Sequence, residues 1–209
     1  MPSPADTWNS RYTDPSFHPA PQPNPFLLEA LPFLPRGRAL DLACGAGQNS
    51  VDLAARGWPV TATDVSISAL DRAEALATSH NLPVRRASAS RIPPDFPRSH
   101  PEILLLRADL ESFTLPASTF DVILCFRYLQ RSLFPAIERA LRPGGILVFE
   151  TFTLDQLNFD RGPRNPDHLL HPGELRAAFP NLTHLFYREW KTGEAMASLL
   201  ARKPSRQRS

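Results

Sequence analysis

Residues 38–80 constrain the fold most tightly. RALDLA (38–43) reads as a short apolar strand and CGAGQ (44–48) as a glycine turn. Residues 49–56 then read as a helix, with Val51, Ala54 and Ala55 on one face and Gly57 as its stop. VTATD (60–64) is β-rich, and Ser66 can cap a helix over 67–80 that places Leu70, Ala73 and Ala77 on one side. A strand–helix–strand–helix alternation is the pattern of a parallel sheet with crossover helices.

The later chain supplies further strands. ILLLR (103–107) and FDVILCF (120–126) are continuous apolar runs, as strands buried on both faces must be. A helix is expected over 130–141, a turn at RPGG (142–145), a fifth strand over 146–150 and a short helix over 173–179. The segments 182–187 and 195–201 lie close enough to form an antiparallel hairpin. The expectation is a three-layer, Rossmann-like α/β domain around a mostly parallel seven-stranded sheet with an antiparallel C-terminal hairpin. At 209 residues the chain has length for one such core.

Proline marks where this order breaks. Nine of the 23 prolines precede Gly37 and four lie within 93–101. Both regions are expected to be poor in regular structure, apart from a short helix over 26–31 capped by Asn24. Residues 81–101, with Arg85, Arg86, Arg91 and Arg98 among prolines and serines, read as a surface loop insertion. The expected organisation is therefore a proline-rich lead-in or lid over 1–36, a domain over 37–201 and a basic, disordered tail over 202–209.

Charge and cysteine usage narrow the function classes. Lys and Arg number 23 against 21 Asp and Glu, but Arg202, Lys203, Arg206 and Arg208 crowd the C-terminus. Without them the acids outnumber the bases, which disfavours a broad nucleic-acid surface. No apolar run approaches the ~18 residues that cross a bilayer, and no basic-then-apolar leader opens the chain, so a cytoplasmic protein without a membrane partner is expected. Cys44 and Cys125 read as reduced thiols beside buried strands. Neither zinc spacing nor an HExxH motif is present, and no metal is expected. The sequence carries no specific signal for an oligomer.

The chemistry-bearing pattern is Asp41, then Gly45 and Gly47, then Asp64 at the end of the second strand, 17 residues after Gly47. In a doubly wound sheet both points fall at the carboxyl edge, beside the topological switch point. A carboxylate there can accept both hydroxyl protons of a ribose, so the pair points to a nucleoside-bearing ligand. Ser50 stands where a dinucleotide fingerprint needs its third glycine. Asp41 is badly placed for a dianionic pyrophosphate and suits an ammonium. Charge complementarity thus favours S-adenosylmethionine over NAD.

The ordered set resembles the class I S-adenosylmethionine-dependent methyltransferases over about 38–152. It comprises ALDLACGAG, VTATDVS, RADLES, FDVILCF and LRPGGILVFE, with Ala43 where many members have glycine. WNSRY, NPFL, YLQRSLFPAI and GPRNPDHLLHPGEL are similar to tellurite-resistance and thiopurine-type methyltransferases, which are small-molecule enzymes whose N-terminal segment closes over the cofactor. The insertion at 93–101 departs from that group.

The resemblance implies a role for each matched position. Asp41 would neutralise the cofactor ammonium, directly or through water. Ala43, Cys44, Gly45 and Gly47 would line its methionine part. Asp64 would hold the ribose, and Val65 would pack on the adenine. Asp109 would accept from the adenine amine while the Leu110 N–H donates to a ring nitrogen. Phe126 and Arg127 would face the sulfonium and the acceptor. Trp8, Arg11 and Tyr12 would be lid residues, and Arg127 and Tyr128 the catalytic candidates.

The implied reaction is in-line displacement at the methyl carbon, which needs alignment and exclusion of water more than a base. That suits a small-molecule acceptor with a soft nucleophile, such as a thiol or a selenium or tellurium oxyanion. The rivals are an RNA or protein methyltransferase, a non-catalytic module of the same fold, and an NAD-linked oxidoreductase. The first would need a basic or aromatic groove beside Arg127 or an Asn-Pro-Pro-Tyr-type motif, which is absent; Ser50 and Asp41 disfavour the last. His168 and His171 read as solvated loop residues. Arg161 and Arg164 read equally as solvated charges or as a grip on an anionic substrate.

Overall fold

The apolar runs form the centre of one sheet. The computed structural model describes residues 3–205. It contains β1 (Ala39–Leu42), β2 (Val60–Asp64), β3 (Val84–Ser88), β4 (Ile103–Arg107), β5 (Phe120–Phe126), β6 (Leu141–Phe152), β7 (Thr183–Trp190) and β8 (Met196–Arg202). Their order is β3-β4-β2-β1-β5-β6-β8-β7. The first six in that order run parallel; β8 pairs antiparallel with β6 and β7 with β8. The mostly parallel sheet and the C-terminal hairpin are as expected.

The strand count is eight, not seven. The additional strand, β3, lies in the segment expected to be a surface loop. It pairs with β4 from Val84↔Ile103 to Ser88↔Arg107 and forms one edge of the sheet. An edge strand needs no apolar alternation, and VRRAS has none. Its arginines are neutralised from outside the strand. Arg86 bonds Asp71 at 2.6 Å and Glu74 at 3.0 Å, and Arg85 bonds Asp95 at 2.9 Å and also Glu102.

Each face of the sheet has its own cover. On one face lie α2 (Pro25–Ala30), α3 (Gln48–Ala55) and α4 (Ile67–Ser79), which bury Phe26, Leu53 and Leu70 against Val60, Leu105 and Val122. On the other lie α5 (Phe134–Ala140) and α6 (Glu174–Ala177). Among the described residues no helix covers β4 on that face. Ile92 and Phe96 of the proline-rich insertion cover it together with Phe113 and Leu115, and the Phe96 ring centre lies 5.7 Å from that of Phe120. The insertion is therefore a lid on the core, since burying a Phe side chain is worth about 2–3 kcal/mol.

The N-terminal lead-in also departs from expectation. It contains α1 (Pro4–Thr13), with Ser3 at its N-cap, Pro4 in the first turn and a capping box between Ser3 and Asp6. The Ser3–Asp6 spacing was the local signal, masked by the proline density around it. α1 buries no residue of its own and is held by α4. Asn9 Oδ1 accepts from the Ser66 hydroxyl at 2.9 Å and the Ser68 N–H at 3.3 Å. The helix after Asn24 is present as expected, with the Phe26 N–H donating to Asn24 Oδ1 at 2.7 Å.

Further boundaries differ. The helix expected over 130–141 divides into a 3-10 turn, Arg131–Leu133, and α5, because Pro135 restarts the backbone in a first turn. β6 already pairs at Leu141. It carries the RPGG segment as a bulge, its register stepping from Phe120↔Leu141 to Val122↔Ile146. β8 includes Arg202, and Lys203 Nζ donates to the Glu138 and Leu141 carbonyls, both at 2.8 Å, at the end of α5. The expected tail thus begins inside the fold. Arg206 and Arg208 lie outside the described residues. Cys44 and Cys125 are free thiols. Among the described residues no helix is long and apolar enough to cross a membrane, and no group of three metal-ligating side chains gathers.

Candidate functional site

β1 lies between β2 and β5, where the sheet order reverses. Such a switch point opens a crevice at the carboxyl edge. The chain leaves β1 through a tight turn: Ala43 has φ +53°, Gly45 +57° and Gly47 +81°, and α3 begins at Gln48. Left-handed backbone costs a non-glycine residue about 1 kcal/mol, so Ala43 is held there by its surroundings. At Gly47 a side chain is excluded on two grounds. Its φ is positive, and an added Cβ would stand 2.7 Å from the Ala73 Cβ of α4.

Two carboxylates lie beneath this loop. Asp64 Oδ2 accepts from the Gly45 N–H at 2.8 Å and Oδ1 from the Ser66 N–H at 2.9 Å. Asp64 is 8% exposed, and burial raises its pKa despite those N–H groups. Asp41 is 1% exposed and accepts the Ser50 hydroxyl at 2.6 Å. Burial, assisted by the charge of Asp64, pushes Asp41 up to about 7. Asp41 thus lies beneath the glycine turn, with one carboxylate oxygen held by Ser50. Among the described residues no Lys or Arg forms an ion pair with either acid. Burial and both carboxylates also raise the Cys44 thiol, which leaves it protonated and unreactive. The result is two buried acids under a buried to half-buried glycine loop, with no cation paired to either among the described residues. A cationic ligand fits this arrangement and an anionic one does not.

The expected lid residues separate into two groups. Tyr12 reaches the loop: a methyl group added at Gly45 would collide with its hydroxyl. Burial and the nearby Asp64 raise the Tyr12 phenol, so it remains a hydrogen-bond donor. Its ring meets Phe17 edge-on at 5.1 Å, and the Arg72 guanidinium lies 5.7 Å from its centre. Trp8 and Arg11 stay on the outer side. Arg11 stacks between Trp8, at 5.2 Å, and Phe17, at 4.6 Å. Asn9, which sequence reasoning missed, is the residue that fastens α1 to the first turn of α4.

At the outer edge of the crevice Asp109 is exposed and accepts the Glu111 N–H at 3.0 Å, while Leu110 is buried and its carbonyl accepts Gln130 Nε2 at 3.1 Å. Val65 is half-buried. Phe126 closes β5 at 8% exposure. The Tyr128 phenol donates to Gln130 Oε1 at 2.5 Å, and burial raises it, with Asp109 and Asp64 among the charges that add to the effect. Arg127 turns to the other side and forms two bonds to Glu194, at 3.1 and 2.7 Å. His168 and His171 are exposed, whereas Arg161 and Arg164 bond the Gly193 and Leu157 carbonyls at 3.3 and 3.0 Å.

A second missed residue is Glu150, near the carboxyl end of β6 and 4% exposed. It accepts the Ser198 hydroxyl at 2.5 Å and Asn24 Nδ2 at 2.9 Å, and the Asn24 N–H donates to Asn49 Oδ1 at 2.8 Å. The root of the N-terminal segment is thereby fixed both to β6 and to the helix after the glycine turn. Nothing local in VFE announces this role.

Comparison with known proteins bears on the family and the fold. The sequence profile described as a methyltransferase domain matches residues 40–149. The Bacillus subtilis (strain 168) protein YqeM is 32% identical over 124 residues, which is 55% of this chain and 42% of that protein. The chain spans about half the length of the curated relatives it matches. The S-adenosylmethionine-dependent methyltransferase of Mesorhizobium loti superposes with a TM-score of 0.62 at 22% identity, covering 86% of this chain and 96% of that one. TehB of Haemophilus influenzae superposes at 0.66 with 19% identity, covering 95% and 66%. At these identities the likeness to solved structures is one of fold.

Proposed function

This chain belongs to the methyltransferase-domain family, whose cofactor is S-adenosylmethionine, and from that premise we propose that it methylates a small-molecule acceptor in the cytoplasm. The observation that carries this reading is the cation-free pair Asp41 and Asp64, both buried beneath the glycine turn. S-adenosylmethionine supplies a methyl carbon on a sulfonium, an excellent leaving group.

The chain's own residues bind and orient. Asp64 retains lone pairs beyond those taken by the Gly45 and Ser66 N–H groups, and these receive the ribose hydroxyls. Asp41, sealed under the loop, favours positive charge through the field it sets up. Ala43, Cys44, Gly45 and Gly47 present backbone to the methionine portion. Val65 and Leu110 flank the adenine and Asp109 accepts its amine, with Leu110 N–H opposite a ring nitrogen. Phe126 borders the reacting carbon, and Arg127 and Tyr128 stand on the acceptor side. Tyr12 closes the site over Gly45 and excludes water, and Trp8 and Arg11 back it from the outer side of the lid. A protonated Tyr128 is no base at neutral pH, which favours an acceptor nucleophilic without one, such as a thiol or a selenium or tellurium oxyanion.

Calorimetric titration tests the reading. Wild-type protein is expected to bind S-adenosylmethionine at micromolar concentration or tighter and NAD not at all. Asp64→Ala, which removes charge-assisted hydrogen bonds worth about 1.5–3 kcal/mol each, is expected to weaken binding about 100-fold. Binding of NAD instead, or equal binding by Asp64→Ala, would overturn it. A methyl-transfer screen over thiols, selenite, tellurite and bulk tRNA then assigns the acceptor. Transfer confined to tRNA would replace the small-molecule reading with RNA methylation.

A further inference from the structure

Just past the carboxyl end of β5, a positive group takes a loop side chain as its partner. β1 and β5 pair with Leu42 opposite Cys125, so continuing that register sets Arg127 level with Cys44 in the glycine turn. Arg127 is in the left-handed region at φ +55°, and its N–H donates to the Glu150 carbonyl at 2.8 Å. A bulky residue held in that conformation is a strained one, and such strain gathers where a side chain must be aimed. The guanidinium lies over the Phe152 ring, 5.2 Å from its centre, which fixes its plane.

Both of its bonds then go to Glu194, in the turn between β7 and β8. The Arg127 side chain remains 50% exposed and that of Glu194 23%, so water reaches the pair from the arginine side. An exposed ion pair contributes only about 0–1 kcal/mol, so an incoming carboxylate can take the place of Glu194 at little cost. A bidentate arginine recognises a planar oxyanion through two parallel hydrogen bonds, a geometry that Glu194 already displays. At the carboxyl edge of the sheet Asp41 and Asp64 are thus buried beneath the glycine turn, while the Arg127 guanidinium lies beyond β5 toward the β7–β8 turn.

We propose that Arg127 docks the methyl acceptor, that the acceptor carries a carboxylate, and that Glu194 holds the place of that carboxylate until it arrives. This inference rests on the methyltransferase reading above, and its test separates the two. Full-length protein saturated with S-adenosylmethionine is titrated with benzoate and with benzamide, its neutral isostere, and likewise with acetate and acetamide. Failure of the protein to bind S-adenosylmethionine at the outset sinks the cofactor reading.

With cofactor bound, benzoate is expected to bind at least 10-fold tighter than benzamide. Glu194→Gln, which loosens the incumbent without emptying the loop, is expected to raise benzoate affinity several-fold and leave benzamide unmoved. Arg127→Gln is expected to erase the preference, and Arg127→Lys to restore only part of it, since an ammonium lacks the fork. Equal binding of acid and amide, no binding of either carboxylate, or a preference that survives Arg127→Gln overturns the proposal. Cofactor affinity is read for every variant. An Arg127→Gln protein with the wild-type circular dichroism spectrum and thermal midpoint is folded, so its loss of benzoate is a loss of docking.

Discussion

On the β1–β2 side of the crevice, side chains reach their partners across short stretches of sequence. Asp64 bonds Ser66 and Gly45 at separations of 2 and 19 residues, and Ser50 bonds Asp41 at 9. On the β5–β6–β8 side, Arg127 reaches Glu194 across 67 residues, Ser198 reaches Glu150 across 48, and Asn24 reaches Glu150 across 126. The first side is one strand–turn–helix–strand unit that shapes itself. The second is assembled from the N-terminal segment, β5, β6 and the β7–β8 hairpin, and exists only when all are folded. A binding function placed in the first can be read from local residues, whereas acceptor recognition placed in the second can vary without disturbing it.

That contrast predicts where damage is greatest. Gly47→Ala strikes the local side, since it forces a left-handed alanine and presses its methyl on Ala73. The strain and overlap together are expected to cost roughly 2–4 kcal/mol. Urea unfolding should show the midpoint falling with the m-value unchanged, and S-adenosylmethionine binding should be lost with it. A midpoint within error of wild type would mean that the turn is not the rigid element described.

Glu150→Ala strikes the assembled side. It leaves the buried Ser198 hydroxyl without its acceptor and the Asn24 amide without one of its own. An orphaned buried polar group costs about 1–3 kcal/mol, so a loss near 2 kcal/mol is expected, smaller than at Gly47. Glu150→Gln, which keeps an acceptor for Asn24, should recover most of it. Limited proteolysis provides the sharper reading. If Glu150 fixes the root of the lid, cleavage within residues 14–23 should accelerate in Glu150→Ala and not in Gly144→Ala, which changes β6 at its far end.

The same contrast decides what could be read from sequence. β1, α3, β2 and α4 were legible because cap, glycine stop and apolar period lie within each element. The acidic residues Asp41 and Asp64 were legible because their positions follow from strand ends alone. β3 was not, since an edge strand rich in arginine carries no alternation and takes its register from β4. α1 was hidden by proline density, although proline in a first turn favours a helix. Phe96, Glu150 and Glu194 were invisible for one shared reason: each acts on a residue brought near only by the sheet order. Tyr12 was foreseen as a lid residue, but its approach to Gly45 depends on Asn9 and Arg72, whose partners lie on α4 and in the lead-in.

A pH experiment sharpens the comparison, because burial raises both Asp41 and Asp64 on the β1–β2 side. Asp41 has an ordinary value of 3.8 and is pushed up to about 7 in the folded protein. Below pH ~4 the group is protonated in both states. Between about 4 and 7 the folded state keeps a proton that the unfolded state has lost, so stability falls by up to ~1.4 kcal/mol per pH unit. Above about 7 the loss is complete. Asp41→Asn should flatten that slope and raise stability at pH 8. It should also weaken S-adenosylmethionine binding there, since the field that favours a cation is gone. Wild-type binding between pH 6 and 7 should release protons, seen as a binding enthalpy that varies with the ionisation enthalpy of the buffer. Proton release identical in wild type and Asp41→Asn would assign the effect to another group.

The smallest effect compares the two strained backbones directly. Ala43 at φ +53° leaves β1 and Arg127 at φ +55° leaves the neighbouring β5, and neither is glycine. At Ala43 only a half-buried methyl packed against the core is lost, so Ala43→Gly should relieve the strain and gain a few tenths of a kcal/mol, the lost contact and the entropy of the unfolded glycine taking back the rest. At Arg127 the same substitution relieves the same strain but removes the pair with Glu194 and the stacking on Phe152, each of them worth about 1 kcal/mol or less at an exposed site. Arg127→Gly should therefore leave thermal stability nearly unchanged while abolishing discrimination between benzoate and benzamide. Equal stabilisation by both substitutions would show that the guanidinium contributes nothing where it lies. A gain at Arg127 larger than at Ala43 would mean that its conformation opposes folding, which is the signature expected of a residue kept for its ligand.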